Sequence, residues 1–177
     1  MHRLFVALRP PPPMRVCLLG LMGGVPAARW QDDEQLHLTL RFIGEVERPQ
    51  AEDIAAALRS VVHPRFAIAL DGVGTFGRKG VPHTLWAGIA PNAPLQSLHD
   101  RINRVLAGTG LAPEERAFTP HITLARLNRL AGPLDPFFAR AAGLASPPGP
   151  IDAFLLYESR LGHEGATYEA IARYPLD

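Results

Sequence analysis

A chain of 177 residues suits one domain, or one domain built from two fused halves, and a 47% hydrophobic content supports a sizeable core. The formal net charge of +1 gives no strong global field for polyanions, so any nucleic acid would be met at a small local site such as a chain end. A single cysteine, Cys17, excludes an internal disulfide, and no Cys/His cluster has zinc-ligand spacing.

Residues 3–8 are a short apolar run that predicts a strand, too short to span a membrane. Arg9, four prolines and Arg15 then interrupt the apolar character that a signal peptide would keep unbroken, so a cytoplasmic protein is expected. The prolines open a helix over 14–21, stopped by Gly23-Gly24, with Cys17 expected as a small core residue. A strand over 36–43 ends at Gly44, and a helix follows over 49–62 with Ile54, Leu58, Val61 and Val62 on one stripe. Residues 66–70 and 73–76 alternate as strands, and 77–82 read as a loop.

The second half repeats this order. Residues 85–90 predict a strand, and 94–106 a helix with Leu95, Leu98, Ile102, Val105 and Leu106 facing inward, stopped by Gly108 and Gly110. A strand over 119–127, a short helix over 133–142, and strands over 151–158 and 166–174 complete the chain.

Two tetrapeptides carry the chemistry: His37-Leu38-Thr39-Leu40 and His121-Ile122-Thr123-Leu124, 84 positions apart. On a strand, residues i and i+2 share a face, so each His shares a face with its Thr while the aliphatic residues take the other. Shifting by 84 lays the helix near residue 54 on the helix-like stretch 135–146, and the strand 66–74 on 150–158. This order predicts an internal duplication. The expected fold is α+β: one bilobal domain over 1–177, with approximate halves 1–83 and 84–177. Two pseudo-symmetric β-α-β units, mainly antiparallel, would face a central cleft with helices outside.

Two imidazoles across a cleft suit a general base and a general acid in one displacement, because histidine titrates near neutral pH. Thr39 and Thr123 can hydrogen-bond non-bridging phosphate oxygens. The two histidines have no third ligand at helpful spacing, so neither a metal nor another cofactor is expected.

On these motifs the chain resembles the two-histidine phosphoesterase superfamily, in particular bacterial RNA 2′,3′-cyclic phosphodiesterases, also described as 2′-5′ RNA ligase-like proteins. The resemblance extends through Arg3 to Leu8, Arg29-Trp30, Phe42 to Val46, Gly74 to Phe76, Leu85 to Gly88, Phe118 to Arg126 and Leu156 to Ser159. Gln31-Asp32-Asp33 is more polar than the family's usual lead-in to the first motif. The resemblance implies hydrolysis of a 2′,3′-cyclic phosphate RNA end to a 2′-phosphate. It also implies His37 as proton donor, His121 as proton acceptor, and a reverse activity joining ends by a 2′-5′ bond.

Two arginines compete for the phosphate. Strand parity puts Arg41 on the face of His37 and Thr39; the resemblance favours Arg126, which needs a bulge or strand end to turn inward. Phe118 is the expected base-stacking residue, whereas Phe42 and Trp86 are expected in the core. The partner is RNA with a 2′,3′-cyclic phosphate end or a small cyclic nucleotide, with no membrane and a monomeric protein. The alternatives are a phosphodiesterase for 2′-5′ oligonucleotides or cyclic nucleotide by-products, and a non-catalytic RNA-end binder.

Overall fold

A computed structural model describes residues 1–177. In chain order the elements are β1 (His2–Leu8), α1 (Pro12–Leu21), β2 (Arg29–Trp30), a 3-10 turn (Asp33–Gln35), β3 (Leu38–Val46), α2 (Arg48–Leu58), β4 (Phe66–Ile68) and β5 (Leu70–Arg78). The chain continues with β6 (Val81–Ile89), α3 (Ala93–Ala107), β7 (His121–Arg126), α4 (Asp135–Ala141), β8 (Gly149–Ile151), β9 (Ala153–Gly162) and β10 (Gly165–Pro175). The fold is α+β with mainly antiparallel pairing, as the two-periodic apolar patterns predict.

The main sheet runs β10-β9-β1-β3-β7-β6-β5, with β2 added beside β7, and β4 pairs separately with β8. At its centre β3 and β7 meet antiparallel at one pair, Leu38 opposite Ile122. These residues are themselves 84 apart. Antiparallel pairing of equivalent residues is what a two-fold axis generates, so the axis of the repeat passes through this pair. The β4–β8 ribbon straddles the same axis, with Phe66 opposite Ile151 and Ala67 opposite Pro150.

Chain order and lobe do not coincide. β9 from the C-terminal half pairs with β1, while β5 from the N-terminal half pairs with β6. Each repeat lends one long strand to the other, and a division at residues 83 and 84 falls inside β6. The expected halves are therefore repeats in sequence but not separate lobes in space.

One sheet face carries the core and the helices. β1 sends Leu4, Val6 and Leu8, all fully buried, into a core shared with Met14 and Leu18 of α1, Ile54 and Leu58 of α2, and Phe137 of α4. α3 is amphipathic, burying Leu95, Leu98, Ile102 and Leu106; the Asn92 side chain caps it by accepting from Leu95 N at 2.9 Å. Fully burying each such leucine contributes about 2 kcal/mol. The other face of β1 carries Phe5 and Ala7, which pack with Tyr157 in a small separate cluster.

Three expectations fail locally. Cys17 is exposed, because α1 buries the Met14–Leu18 stripe and Cys17 lies off it. Val62 is 64% exposed, because α2 ends at Leu58 and the stripe does not continue. Residues 77–82 are mostly strand, closed by a tight turn in which Lys79 and Gly80 take positive φ. No helix is long and apolar enough to cross a membrane.

Candidate active site

The two motifs obey strand parity. Leu38, Leu40, Ile122 and Leu124 are buried, while His37, Thr39, His121 and Thr123 are half-buried on the opposite face. Because Leu38 lies opposite Ile122 in antiparallel register, His37 stands across from Thr123 and Thr39 across from His121. The four side chains form a square about the axis, with the imidazoles on one diagonal; such diagonal neighbours lie about 7–8 Å apart.

Both imidazoles are held the same way. His37 Nδ1 bonds the Gln35 carbonyl and His121 Nδ1 bonds the Thr119 carbonyl, each at 2.7 Å. A carbonyl only accepts, so each Nδ1 carries the proton, and Nε2 is the acceptor of the neutral ring. Aromatic rings support each histidine: Phe5 at 4.8 Å and Tyr168 at 5.0 Å for His37, Phe76 at 4.8 Å and Trp86 at 6.2 Å for His121. Burial among these rings pushes the His37 pKa down to about 4, helped by the positive charges of Arg126, His121 and Arg9. His121 is also lowered, by burial first and then by Arg126. Both shifts favour the neutral ring in the absence of an anion, and Arg126 bears on both.

Matched bulges decide which residues join them. The β1–β3 ladder skips Leu40, and the β6–β7 ladder skips Leu124. Parity therefore reverses after each motif. Arg41 goes in and Phe42 comes out; Ala125 goes in and Arg126 comes out. Arg41, expected beside His37 and Thr39, is only 7% exposed, and its guanidinium donates to Asn103 Oδ1 and to the carbonyls of Ala112 and Phe42. These three groups hold the guanidinium on the core side of the strand, although Arg41 still contributes to the wall of the cavity beside His121. Phe42, expected in the core, is 41% exposed on the cleft face. Arg126 is exposed, and its Nη1 donates to Thr84 Oγ1 on the neighbouring strand at 2.9 Å.

Two cavities flank the square and share Thr39 and Phe42 as a common wall. One, of about 400 Å³, includes His121 and the rings of Phe42, Phe76 and Phe118. There Phe118 lies flat against His99, centroids 3.9 Å apart and planes within 6°. The other, of about 590 Å³, includes His37 and Arg126. Trp86, expected in the core, is half-buried on the cleft face beside Thr123, and its ring lies over Gly74. Phe5, Phe76, Tyr168 and Thr84 also neighbour the site without being marked in the sequence; alternation sets their faces, but only the sheet order brings those faces to the histidines. No group of three or more His, Cys, Asp or Glu side chains is placed to hold a metal ion.

Residues 26–162 match the family described as the 2′-5′ RNA ligase superfamily. The chain belongs to this superfamily. A protein of Aeropyrum pernix named RNA 2′,3′-cyclic phosphodiesterase is 43% identical over 105 residues, 59% of this chain and 59% of that one. A Geobacillus stearothermophilus protein of the same name is 30% identical over 156 residues, 87% of this chain and 49% of that one. The matches thus span 49% to 59% of the length of these relatives. The crystal structure of Escherichia coli LigT complexed with 3′-AMP superposes with a TM-score of 0.77 at 26% identity, covering 99% of this chain and 98% of that chain.

Proposed function

We propose that the protein hydrolyses 2′,3′-cyclic phosphate ends of RNA to 2′-phosphates by general acid and base catalysis from His37 and His121. The observation that carries this reading is the crossing of two His-x-Thr motifs at Leu38 and Ile122, with both Nδ1 atoms tied to backbone carbonyls. The names of the relatives support the substrate class.

In this reading the phosphorus sits over the square. His121 Nε2 takes a proton from water as its oxygen bonds to phosphorus. The P–O3′ bond breaks on the opposite side, and protonated His37 gives its proton to the departing 3′-oxygen. Thr39 and Thr123 donate to the non-bridging oxygens, and Arg126 neutralises their charge, which grows in the transition state. The bound anion raises the depressed His37 pKa, so that ring is charged when it is needed. Phe118, backed by His99, offers a flat surface for the terminal base, with Phe42 and Phe76 lining the same cavity. One chain supplies both motifs, so a monomer suffices. If the 5′-hydroxyl of a second RNA end takes the place of water, its oxygen bonds to the cyclic phosphorus as the P–O3′ bond breaks, and the same pair joins the two ends through a 2′-5′ bond.

The test is turnover of RNA ending in a 2′,3′-cyclic phosphate by purified protein in EDTA, with the product end mapped. The expected result is a 2′-phosphate formed at an undiminished rate in chelator. Binding without product, or activity that chelation abolishes, overturns the reading.

A further inference from the structure

The larger cavity brings together three arginines. Arg3, Arg29 and Arg126 all line it, alongside His37 and Thr39. Six arginines elsewhere pair with carboxylates: Arg9 and Arg15 with Asp33, Arg48 with Glu52, Arg116 with Glu114, Arg160 with Glu158 and Glu169, and Arg173 with Asp152. Arg3, Arg29 and Arg126 have no carboxylate within ion-pair distance. The cavity's acids are Asp32, whose carboxylate accepts from Gln35 N at 2.9 Å to cap the 3-10 turn, and Glu164 at the β9–β10 turn. Three guanidinium groups left unpaired around one concavity, in a chain of near-neutral net charge, fit an anion from outside.

The placement of these arginines separates them from the chemistry. Arg29 lies opposite Arg126 across the β2–β7 ladder, on the edge of β7 that also meets β3, three to four residues along β7 from the Leu38–Ile122 pair. Arg3 is two residues from Phe5 along the cleft face of β1, about 7 Å beyond the ring that supports His37. Its guanidinium carbon sits 5.5 Å from the Phe42 ring centroid, on the wall common to both cavities. With Arg126 serving the reacting phosphorus, Arg3 and Arg29 face the continuation of the same ligand. At a 3′ RNA end, the only continuation is toward 5′.

Building on the cyclic-phosphodiesterase reading, we propose that Arg3 and Arg29 form a subsite for the backbone phosphate immediately 5′ of the cyclic end. The cleft therefore selects polynucleotide ends over free cyclic nucleotides. A cyclic mononucleotide leaves this subsite empty, whereas a dinucleotide ending in a cyclic phosphate fills it and gains charge-assisted hydrogen bonds.

The test compares kcat/KM for a dinucleotide ending in 2′,3′-cyclic phosphate with that for the matching cyclic mononucleotide, in the wild type, R3Q, R29Q and the double variant. The wild type is expected to favour the dinucleotide by about tenfold or more, mainly through KM, and the double variant to bring the ratio close to one. The single variants keep the measurement decisive if the double variant folds poorly. A wild-type ratio near one, or a ratio unchanged in the variants, overturns the subsite. A second arm measures binding of a labelled oligoribonucleotide ending in a 2′-phosphate as salt is raised. Loss of Arg3 and Arg29 should flatten the log–log salt dependence by about 0.7 for each phosphate contact removed; an unchanged slope also overturns the subsite. The binding arm needs no turnover. Altered slopes with no hydrolysis of either substrate would uphold the phosphate subsite and remove the phosphodiesterase reading instead.

Discussion

Phe42 and Arg126 are equivalent residues, 84 positions apart, brought onto the same cleft face by matched bulges at Leu40 and Leu124. The backbone is symmetric here and the side chains are not. A cation tied to Thr84 stands on one side of the axis, and an aromatic ring stands on the other. The asymmetry suits the proposed substrate, which pairs an anionic phosphorus centre with a flat base.

Arg126→Ala is expected to lower kcat/KM by about tenfold to a hundredfold with little change in thermal midpoint, because its side chain is exposed and, in the proposed mechanism, neutralises the anion. Arg41→Ala should do the reverse in stability, costing about 2–4 kcal/mol, since Asn103 Oδ1 and the Ala112 carbonyl lose their buried donor. Denaturant unfolding and steady-state kinetics on both variants decide the matter. An Arg41→Ala protein of wild-type stability would refute its structural role.

Replacing either His37 or His121 by Ala should cost about 10²- to 10⁴-fold in kcat. The double variant should fall little further, because acid and base act on one displacement. Circular dichroism should show folded protein in each case. Fully additive losses would indicate two independent sites.

The pH–rate profile carries a sign. Burial and Arg126 depress both imidazoles, His37 to about 4, so in the free protein the protonated fraction falls as pH rises well below 6.5. The bell for kcat/KM, which reports the free enzyme, should peak on the acid side of pH 6.5. Bound substrate anion favours the imidazolium and raises the donor's pKa, so the bell for kcat should lie at higher pH. Superimposed profiles would show that the anion does not touch the titrating rings.

Gly74→Ala tests the aromatic support of His121. A Cβ there would fall 2.4 Å from Trp86 Cζ2, so the indole must move. Overpacking of this kind costs about 1–3 kcal/mol. Because the Trp86 ring centroid is 6.2 Å from that of His121, turnover should fall as well as the melting temperature. A variant with wild-type melting and turnover would show that the indole relocates freely.

Much of the site was legible in the linear chain because it depends on local periodicity. A two-residue period puts His37 with Thr39 and His121 with Thr123, whatever the surrounding fold, and Leu38 and Ile122 must then point to the core. The repeat was legible because offset 84 aligns whole elements: β5 with β9 and α2 with α4. Parity failed one residue beyond each motif. A bulge is an extra residue judged against a partner strand, and a single strand contains no such reference; hence Arg41 and Phe42 were exchanged and Arg126 needed the family resemblance. The strand exchange between repeats, the pairing of Leu38 with Ile122, and the convergence of Arg3, Arg29 and Arg126 on one cavity were decided by tertiary structure alone. Each joins residues far apart along the chain, and contacts of that kind are set by how strands close into a sheet around a shared core rather than by local preference.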